Sequence, residues 1–356
     1  MQISVTSPHE LGPDEIAVWR SMQHKTDSLA SPFLSPEFAL AVGAFRPNTR
    51  VAVLSDGPEL VGFFPFERRR LGVGVPIGAG LNNRQGLIHA PAVEWDPRAL
   101  LRACRVSVWQ FDNLVAGQRP FEPYAVTMTP SPVIDLASGF DAYQQKLRIA
   151  SPRFCKDLAR KARKLEQEAG ELRLVVDSRD SEALRVLIDW KSDQYRRNGM
   201  VDIFDRPWVA ALVDRLFSTR SDHLASLLSV LYAGETPVAA QLGLRSGRVL
   251  AGWFCAYDPR FGRRSPGLLE HVRTVEEAAA IGVHLIDLGS GPERYKQKLK
   301  NHDLLISAGA VARGPVLAHA HRVHGAATDV ARRHIKRHPT LFRAADKLLR
   351  HYGRIV

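Results

Sequence analysis

The sequence predicts an α/β (α+β) protein in which mixed central sheets are flanked by helices. Two observations lead to this fold class. From Leu172 onward, apolar patterns typical of strands and helices follow in the order strand, two helices, three strands, helix, strand, short helix, strand. An apolar hairpin with a glycine turn also occurs twice, over residues 53–66 and 230–244, which indicates a weakly repeated unit.

The first 138 residues carry the first copy of this pattern. Residues 13–25 form a helix with Ile16, Trp19 and Met22 on one face, and residues 72–86 are a glycine-rich loop that we expect near a cleft. The further elements predicted here are a strand at 3–5, a helix starting at 33–40, a hairpin over 51–66, a helix at 97–104 and a strand at 106–111. We expect this unit to be a degenerate partner that shapes a substrate cleft.

The second unit is predicted over residues 139–313. It begins with a long basic helix over 140–169, interrupted near Ser151 and Pro152 because proline favours a helix start. The predicted elements that follow are a strand at 172–177, helices at 181–197 and 206–217, and strands at 224–232, 237–245 and 248–257. Residues 314–356 are predicted to be a basic helical C-terminal extension.

Composition narrows the class of protein. The chain has 356 residues, 45% hydrophobic and 24% charged, as in a soluble globular protein with ample core. No apolar run approaches the ~20 residues of a membrane span, and the N-terminus lacks the pattern of a signal peptide. Cys104, Cys155 and Cys255 form no disulfide framework or metal motif, so we expect a cytoplasmic protein.

The net charge of +12 is unevenly distributed. One excess of Lys and Arg lies on the helix within 146–164 and another in the C-terminal extension. Such charge suits nucleic acid, an anionic membrane surface or a phosphorylated substrate, and does not choose among them. On the helix we favour a solvated cationic face, since no aromatic residues interleave with the charges. In the extension, an apolar stripe from Leu341 to Tyr352 packs on its own protein or docks on a membrane surface or a partner.

The stretch from Arg248 to Gly291 reads as strand, basic loop, helix and strand. Ser265 and Pro266 open the helix as N-cap and first helical residue, and Gly282 ends it. The unpaired amides and the dipole at a helix start attract anions. The sequence therefore predicts an anion site here, with a solvated basic turn as the alternative.

The segment 256–267 resembles the phosphate-binding segment of the GNAT N-acyltransferases. More closely, its Y-D-P-x-F-x-x-x-S-P-G pattern is similar to the CelD/BcsL-type, FemAB-like branch found beside bacterial polysaccharide genes, also described as BioF2-like. Gly262 and Ser265 depart from the general family pattern, while Gly267 retains its last glycine. The resemblance implies tandem GNAT-like domains and acetyl-CoA or another acyl-CoA as co-substrate, without metal. The implied acyl-CoA-binding residues are Phe254, Cys255, Ala256, Tyr257, Gly262, Arg263, Arg264, Ser265 and Gly267.

The same resemblance implies the chemistry. Backbone amides at residues 254–256 would bind the thioester, and Tyr295 would protonate the departing thiolate, unless it is only an amphipathic residue at a helix end. Candidates for taking the ammonium proton are Asp287, Glu270, His271 and a water chain. Asp287 is preferred because its apolar neighbours would desolvate it and raise its pKa; the alternative is a strand-end residue bonded to the local backbone.

Three residues are predicted to bind the acceptor. They are Gln241, Lys296 and Lys298, and ordinary surface lysines are the alternative for the last two. The histidines of the C-terminal extension lack carboxylate or cysteine company at suitable spacing, so no metal site is predicted.

These observations predict an N-acyltransferase, by expectation an N-acetyltransferase, that acts by direct attack in a ternary complex. The acceptor is expected to be an amine on a small molecule, a sugar or a cell-envelope polysaccharide precursor. A FemAB-like transferase using aminoacyl-tRNA is the first alternative and the one that would involve nucleic acid. A non-catalytic component of a polysaccharide machine is the second. The expected location is the cytoplasm, with peripheral contact at the inner membrane through residues 314–356 as a further option.

Overall fold

The computed structural model describes residues 1–78, 80–291 and 293–314. The predicted extension thus lies, apart from Gly314, outside the described residues. In the first 138 residues the helices are α1 (Pro13–Lys25), α2 (Pro36–Phe45) and α3 (Pro97–Ala103). The strands there are β1 (Gln2–Thr6), β2 (Thr49–Asp56), β3 (Glu59–Arg68), β4 (Val73–Val75), β5 (Ile88–His89), β6 (Val108–Val115) and β7 (Ala125–Asp135).

The second part of the chain repeats this order after two leading helices. Its helices are α4 (Phe140–Ala150), α5 (Pro152–Ala169), α6 (Ser181–Arg197), α7 (Pro207–Phe217), α8 (Pro266–Ala280) and α9 (Arg294–Leu299). Its strands are β8 (Leu172–Val175), β9 (Ala225–Ala233), β10 (Thr236–Ser246), β11 (Val249–Tyr257), β12 (Leu285–Asp287) and β13 (His302–Ala312). The predicted order from Leu172 onward is confirmed, as is the break in the basic helix before Pro152.

Local caps explain several helix starts. At α1 the carboxylate of Glu15 accepts the amide of Gly12 at 2.7 Å, and at α2 the hydroxyl of Ser35 accepts the amide of Phe38 at 3.1 Å. Proline occupies the first helical position of both, where its missing N–H costs nothing. These signals lie within a few residues of each helix start and are therefore readable in the sequence.

The thirteen strands of the described residues form one mixed sheet flanked by helices, which confirms the predicted fold class. The strand order is β1-β2-β3-β4-β6-β13-β7-β12-β11-β10-β9-β8, with β5 paired to β3. Reading inward from its two ends, this order matches β1 with β8, β2 with β9, β3 with β10, β4 with β11, β6 with β12 and β13 with β7. The sheet is therefore built from two copies of one arrangement.

The two copies exchange their last strands. Strand β7 pairs with β12 of the second copy, while β13 lies between β7 and β6 of the first. Sequence analysis missed β7, because Pro130 and Pro132 argue against a strand inside a sheet. The division of the chain into units at residues 138 and 139 stays a prediction.

The repeated hairpin is visible in the backbone. The β2–β3 turn contains Gly57 at φ +58° and the β9–β10 turn contains Gly234 at φ +57°. In each hairpin the register shifts by one residue close to the turn. Because left-handed φ values suit glycine, both turns are encoded locally, and the resemblance between the two sequence segments is structural.

The main hydrophobic core is shared by both copies. It joins Trp19, Phe33 and Phe38 of the first copy to Leu212 and Phe254 of the second, all nearly fully buried. Helices α6 and α7 pack on this side of the β9–β11 strands, while α8 packs on the other side. Strand β11 thus has two distinct faces, one toward α6 and one toward α8.

Within the described residues no helix is long and apolar enough to cross a membrane.

Candidate active site

The site is organised by the point at which β11 and β12 separate. These parallel strands pair only from Val249 with Leu285 to Ala251 with Asp287. On its other side β11 continues to pair with β10 as far as Tyr257, with an irregularity that places Trp253 outside the register. Beyond Ala251 no strand of the described residues covers the outer edge of β11. Its backbone groups there can meet a ligand.

The predicted thioester-binding residues lie along this edge. Phe254 and Ala256 belong to the core shared with α6, so the side chain of Cys255 between them points toward α8. The ring of Tyr257 is 41% exposed. A Cβ added at Gly262 or Gly267 would lie 3.6 Å and 3.4 Å from that ring, in ordinary van der Waals contact, so both glycines pack beside Tyr257.

The basic turn before α8 is a 3-10 helix over Pro259–Arg264. Ser265 follows in the left-handed region at φ +52° and its side chain does not cap α8, contrary to the role that the sequence suggests. The physical reason is that a capping serine has an extended backbone and Ser265 does not; its hydroxyl instead accepts a hydrogen bond from Lys161 of α5 at 3.0 Å. The amides of Leu268 and Leu269 bond to the carbonyl of Ser265.

The cations of this turn are not equivalent. Arg264 pairs with Glu168 of α5, with Nε and Oε2 2.8 Å apart, and Arg260 pairs with Asp258. Arg263 is exposed and has no carboxylate partner among the described residues. Lys161 is paired with Asp157 at 3.0 Å. A pyrophosphate group would therefore find Arg263 as the cation without a carboxylate partner in the described residues, together with the start of a 15-residue helix, and these groups fit an acyl-CoA.

Buried polar groups gather where α8 faces β11. Glu270 is 1% exposed and accepts the hydroxyl of Thr274 at 2.8 Å, and its other oxygen lies 3.7 Å from Nδ1 of His271. The imidazole of His271 stacks on the ring of Tyr295 with centroids 4.9 Å apart. The Tyr295 hydroxyl in turn lies 3.8 Å from Sγ of Cys255. The structure thus brings Glu270, His271, Tyr295 and Cys255 together.

Burial sets the protonation of this cluster. Desolvation raises the pKa of Glu270 to about 7, and it lowers the pKa of His271 despite the nearby carboxyl. Desolvation, with Cys255 as the next cause, raises the pKa of Tyr295, so its hydroxyl keeps its proton. A carboxyl that titrates near neutrality beside a protonated phenol can exchange protons with a reacting group.

Asp287 lies elsewhere. Its Oδ1 accepts Arg84 at 2.8 Å and the amide of Gly289 at 2.9 Å, and both partners of the ion pair are almost fully buried. No hydrogen bond or ion pair in the described part of the chain joins Asp287 to Glu270, His271 or Tyr295. Its role as a base stays a prediction, and the structure places it in an ion pair between the two copies.

The predicted acceptor-binding residues are also separated. Lys296 is buried and its ammonium bonds to the carbonyls of Gly289 and Ser290 at 3.2 Å, which makes it a brace of this turn and not a surface lysine. Lys298 is exposed and lies over the ring of Phe154. Gln241 is 5% exposed with an unpartnered side-chain oxygen. Their roles stay predictions.

A cavity of about 230 Å³ opens on the α6 side of β11. Its walls combine aromatic and aliphatic side chains with the polar groups of Asn83 and Arg206. The aromatic residues are Tyr195, Trp208, Trp253 and Phe254. Gly80, Leu81 and Asn83 of the first copy also line it, which confirms that the glycine-rich loop 72–86 borders a cleft.

Sequence reasoning missed several residues here. Trp253 donates from Nε1 to the carbonyl of Leu81 at 2.8 Å, and Asn83 donates to the carbonyl of Gly252 at 3.2 Å. Lys191 of α6 donates to the carbonyl of Cys255 at 3.2 Å. The richness of loop 72–86 in glycine was the available signal for the first two contacts. Nothing in the amphipathic pattern of α6 distinguishes Lys191.

In the described residues no three His, Cys, Asp or Glu side chains gather in a way that could hold a metal ion.

Comparison with known proteins places these features in a family context. Residues 152–297 match the model of a family described as acetyltransferase (GNAT) domain. The matched segment contains every predicted site residue except Lys298. No curated protein sequence matches the chain.

Two solved structures share the fold. One is the C-terminal domain of a protein described as a lysylphosphatidylglycerol synthetase from Agrobacterium fabrum, at 11% identity and a TM-score of 0.51, covering 85% of this chain and 92% of that one. The other is a conserved protein of unknown function from Bacteroides thetaiotaomicron, at 9% identity and a TM-score of 0.53, covering 86% and 100%. Residues 152–297 are thus similar to a GNAT acetyltransferase domain, and the two solved structures show that a shared fold extends over most of this chain.

Proposed function

We propose that this protein transfers an acyl group, by preference acetyl, from acyl-CoA to an amine by direct attack in a ternary complex. The observation that carries the proposal is the open edge of β11 beyond Ala251, beside the buried Glu270–Tyr295 cluster and the start of α8. An open strand edge supplies fixed backbone dipoles for a thioester, and the helix start supplies a phosphate site. Arg263, Lys161 and Gly267 would hold the pyrophosphate.

The acceptor would enter from the other face of the sheet. Aromatic and aliphatic side chains line the cavity next to Trp253, beside the polar groups of Asn83 and Arg206, and no carboxylate is among the lining residues. Such walls suit a ring with apolar faces that carries the amine, as in an amino sugar of a cell-envelope precursor. Arg206 at the wall would favour an acceptor that also bears an anionic group.

The chain's own groups would then move the protons. The amine nitrogen bonds to the carbonyl carbon as the carbon–sulfur bond breaks. Glu270 accepts the proton of the new ammonium, directly or through water, and Tyr295 donates one to the departing thiolate. Each proton lost or gained on the substrates is therefore balanced by a named side chain.

Isothermal titration with acetyl-CoA, longer acyl-CoAs and free CoA tests the donor site. We expect micromolar binding that is abolished in Gly267→Trp, because an indole there would lie against Tyr257 and cover the start of α8. Gly314→Trp is the matched control, since a Cβ added at Gly314 meets no atom of the described residues within 4 Å. A folded protein that binds no CoA would contradict the proposal. Binding would justify a screen of amino-sugar acceptors by thiol release.

A further inference from the structure

One cation reaches the open edge of β11 from the α6 side. The ammonium of Lys191 lies 3.2 Å from the carbonyl oxygen of Cys255, four residues past the end of pairing with β12. It also lies 5.4 Å from the centroid of the Tyr195 ring, on the same helix and in the wall of the acceptor cavity. Lys191 thus stands between the strand edge and the cavity.

The charge of Lys191 has no anionic partner. Two other cations of α6 pair with carboxylates: Arg185 with Glu182, and Arg196 with Asp193. No carboxylate of the described residues lies within 4.0 Å of the Lys191 ammonium. A partly buried cation gains only weak compensation from a carbonyl dipole and an aromatic face, so this position favours an anion that arrives with a ligand.

Lys191 and Tyr295 contact Cys255 from opposite faces of the sheet. Lys191 meets its carbonyl from the α6 side, and the Tyr295 hydroxyl lies 3.8 Å from its thiol on the α8 side. Acyl transfer develops negative charge at two atoms, the carbonyl oxygen and the sulfur of the thioester. The group that stabilises charge on the oxygen and the group that stabilises charge on the sulfur must therefore lie on opposite sides of the bond that breaks.

We infer that Lys191 is a catalytic residue whose ammonium stabilises the negative charge that develops on the thioester carbonyl oxygen. The inference rests on the proposed function. Tyr295 serves the sulfur, Glu270 takes the ammonium proton, and Lys191 keeps its own protons throughout. A fixed cation at a site from which water is excluded stabilises such charge more than it does in water.

The same charge also acts on the acceptor. A cation close to the incoming amine disfavours its ammonium form and raises the fraction of the neutral, nucleophilic form. Loss of Lys191 should therefore move the rise of kcat to higher pH, in addition to lowering its maximum, because kcat reports the groups that titrate in the complex. A residue that only supports the fold would not shift the pH profile in this way.

Lys191→Met tests the inference, because methionine keeps most of the side-chain length without charge. We expect kcat to fall by ~10²–10³-fold, the usual cost of removing one group that stabilises an oxyanion. The Kd for acetyl-CoA should change by less than about threefold, since the charge appears only during reaction. Lys191→Arg should retain more activity than Lys191→Met. Arg185→Met, which removes an exposed charge from the same helix, should match the native protein.

A second readout does not depend on turnover. S-acetonyl-CoA, a ketone analogue without a leaving group, can be labelled with carbon-13 at its carbonyl. In the native protein and in Arg185→Met we expect a downfield shift of that resonance on binding, because a nearby cation polarises the carbonyl. Lys191→Met should bind the analogue and lose most of the shift.

The outcomes separate this inference from the proposed function. Normal kcat in a folded Lys191→Met, or an unchanged carbonyl shift, would overturn the role of Lys191 alone. Failure of the variant to bind acetyl-CoA, with Lys191→Gln behaving likewise, would make the residue a structural support and overturn it too. If the native protein and Arg185→Met both bind no CoA, the proposed function falls and the inference falls with it.

Discussion

The two copies of the repeat contain the same opening in the sheet, but the chain fills this opening in the first copy and leaves more of it free in the second. In the first, β4 and β6 pair in parallel over only two residues, Val73 with Val108 and Gly74 with Trp109. In the second, β11 and β12 pair in parallel over three. Both pairs then separate, so the topology alone would place a ligand site in each copy.

The first opening is closed by its own chain. Gln85 enters it, its side-chain carbonyl accepting the amides of Asp112 and Asn113 at 3.0 Å and 3.1 Å, and its amide donating to Asn82 and Asp112. Its backbone also bridges to Leu114. The groups that a ligand would need are therefore occupied. In the second copy the carbonyls of Gly252 and Cys255 accept hydrogen bonds from Asn83 and Lys191. No side chain of the described residues accepts a backbone amide of β11 beyond Ala251.

The cores beside these openings also differ between the two copies, since one is apolar and the other contains buried polar groups. Beneath α3 lies an apolar cluster rich in aromatic rings, among them Phe64, Trp109 and Phe121. Beneath α8 lie Glu270 and Tyr295, with the unpartnered oxygen of Gln241 in the same strand layer. An apolar core serves stability, while buried polar groups cost stability and persist where they serve a site. The comparison supports the proposal that the second copy carries the chemistry, while the first copy supports the fold.

The largest expected effect follows from removing the titrating group of the second copy. In Glu270→Gln we expect kcat/KM to fall by ~10²–10⁴-fold, as for loss of a general base. In the native protein kcat/KM should rise with pH through about 7, because the carboxyl must lose its proton to act. The variant should show a low and nearly flat profile. Activity that instead falls through about pH 7 would make Glu270 the acid that supplies the leaving group.

Glu270 should also affect stability, with a pH dependence opposite to that of its effect on activity. Its folded pKa of about 7 exceeds the ordinary value of 4.5, so the folded state holds this proton more tightly than the unfolded state. The stabilisation is present below pH 4.5 and is lost as the pH rises through about 7. Urea unfolding should therefore show Glu270→Gln gaining stability over the native protein between about pH 5 and pH 8. A stability gain of equal size at about pH 5 and about pH 8 would contradict burial of the Glu270 carboxyl as the cause of its raised pKa.

The ion pair between Arg84 and Asp287 tests how the two copies are held together. Arg84→Met leaves a carboxylate that is 2% exposed without its partner, and we expect a loss of about 3–5 kcal/mol in the free energy of unfolding. The double variant Arg84→Met with Asp287→Asn should recover much of that loss. A loss of unfolding free energy below ~1 kcal/mol, typical of an exposed pair, would contradict a buried ion pair that holds the two copies together.

The same double variant separates two roles of Asp287. If the carboxylate serves only the ion pair, kcat should stay within about tenfold of the native value. A loss as large as that of Glu270→Gln, of ~10²-fold or more, would restore Asp287 as the base.

The smallest expected effect concerns the closed opening of the first copy. Gln85→Leu leaves the amides of Asp112 and Asn113 without their acceptor, and we expect a loss of about 1–3 kcal/mol in unfolding free energy. Acetyl-CoA should still bind at one site per chain in titration calorimetry. Gln145→Leu on the exposed face of α4 is the matched control. A second binding site in Gln85→Leu would show that this residue alone blocks the first copy.

Local signals account for what could be predicted. Helices α1 and α6 have the predicted bounds of residues 13–25 and 181–197, because their caps and apolar faces are local. The glycine turns of both hairpins were readable for the same reason. Strand β7 was not, since its prolines lower its strand propensity and its exposed first half pairs only with the distant β13. Ser265 was predicted to cap α8, but its side chain does not cap this helix. Its hydroxyl accepts a hydrogen bond from Lys161, 104 residues earlier.

The sequence by itself determined the element order from Leu172 onward, the repeat, the basic turn and the presence of Tyr295 and Glu270 in one segment. Only the tertiary structure decided which groups are free to act. Asp287 is paired with Arg84, which lies 203 residues away in the sequence. Gln85 occupies the first opening, and Lys191 lies at the edge of β11. The physical reason is that desolvation and pairing of charges depend on contacts between distant segments, which propensity and periodicity do not record.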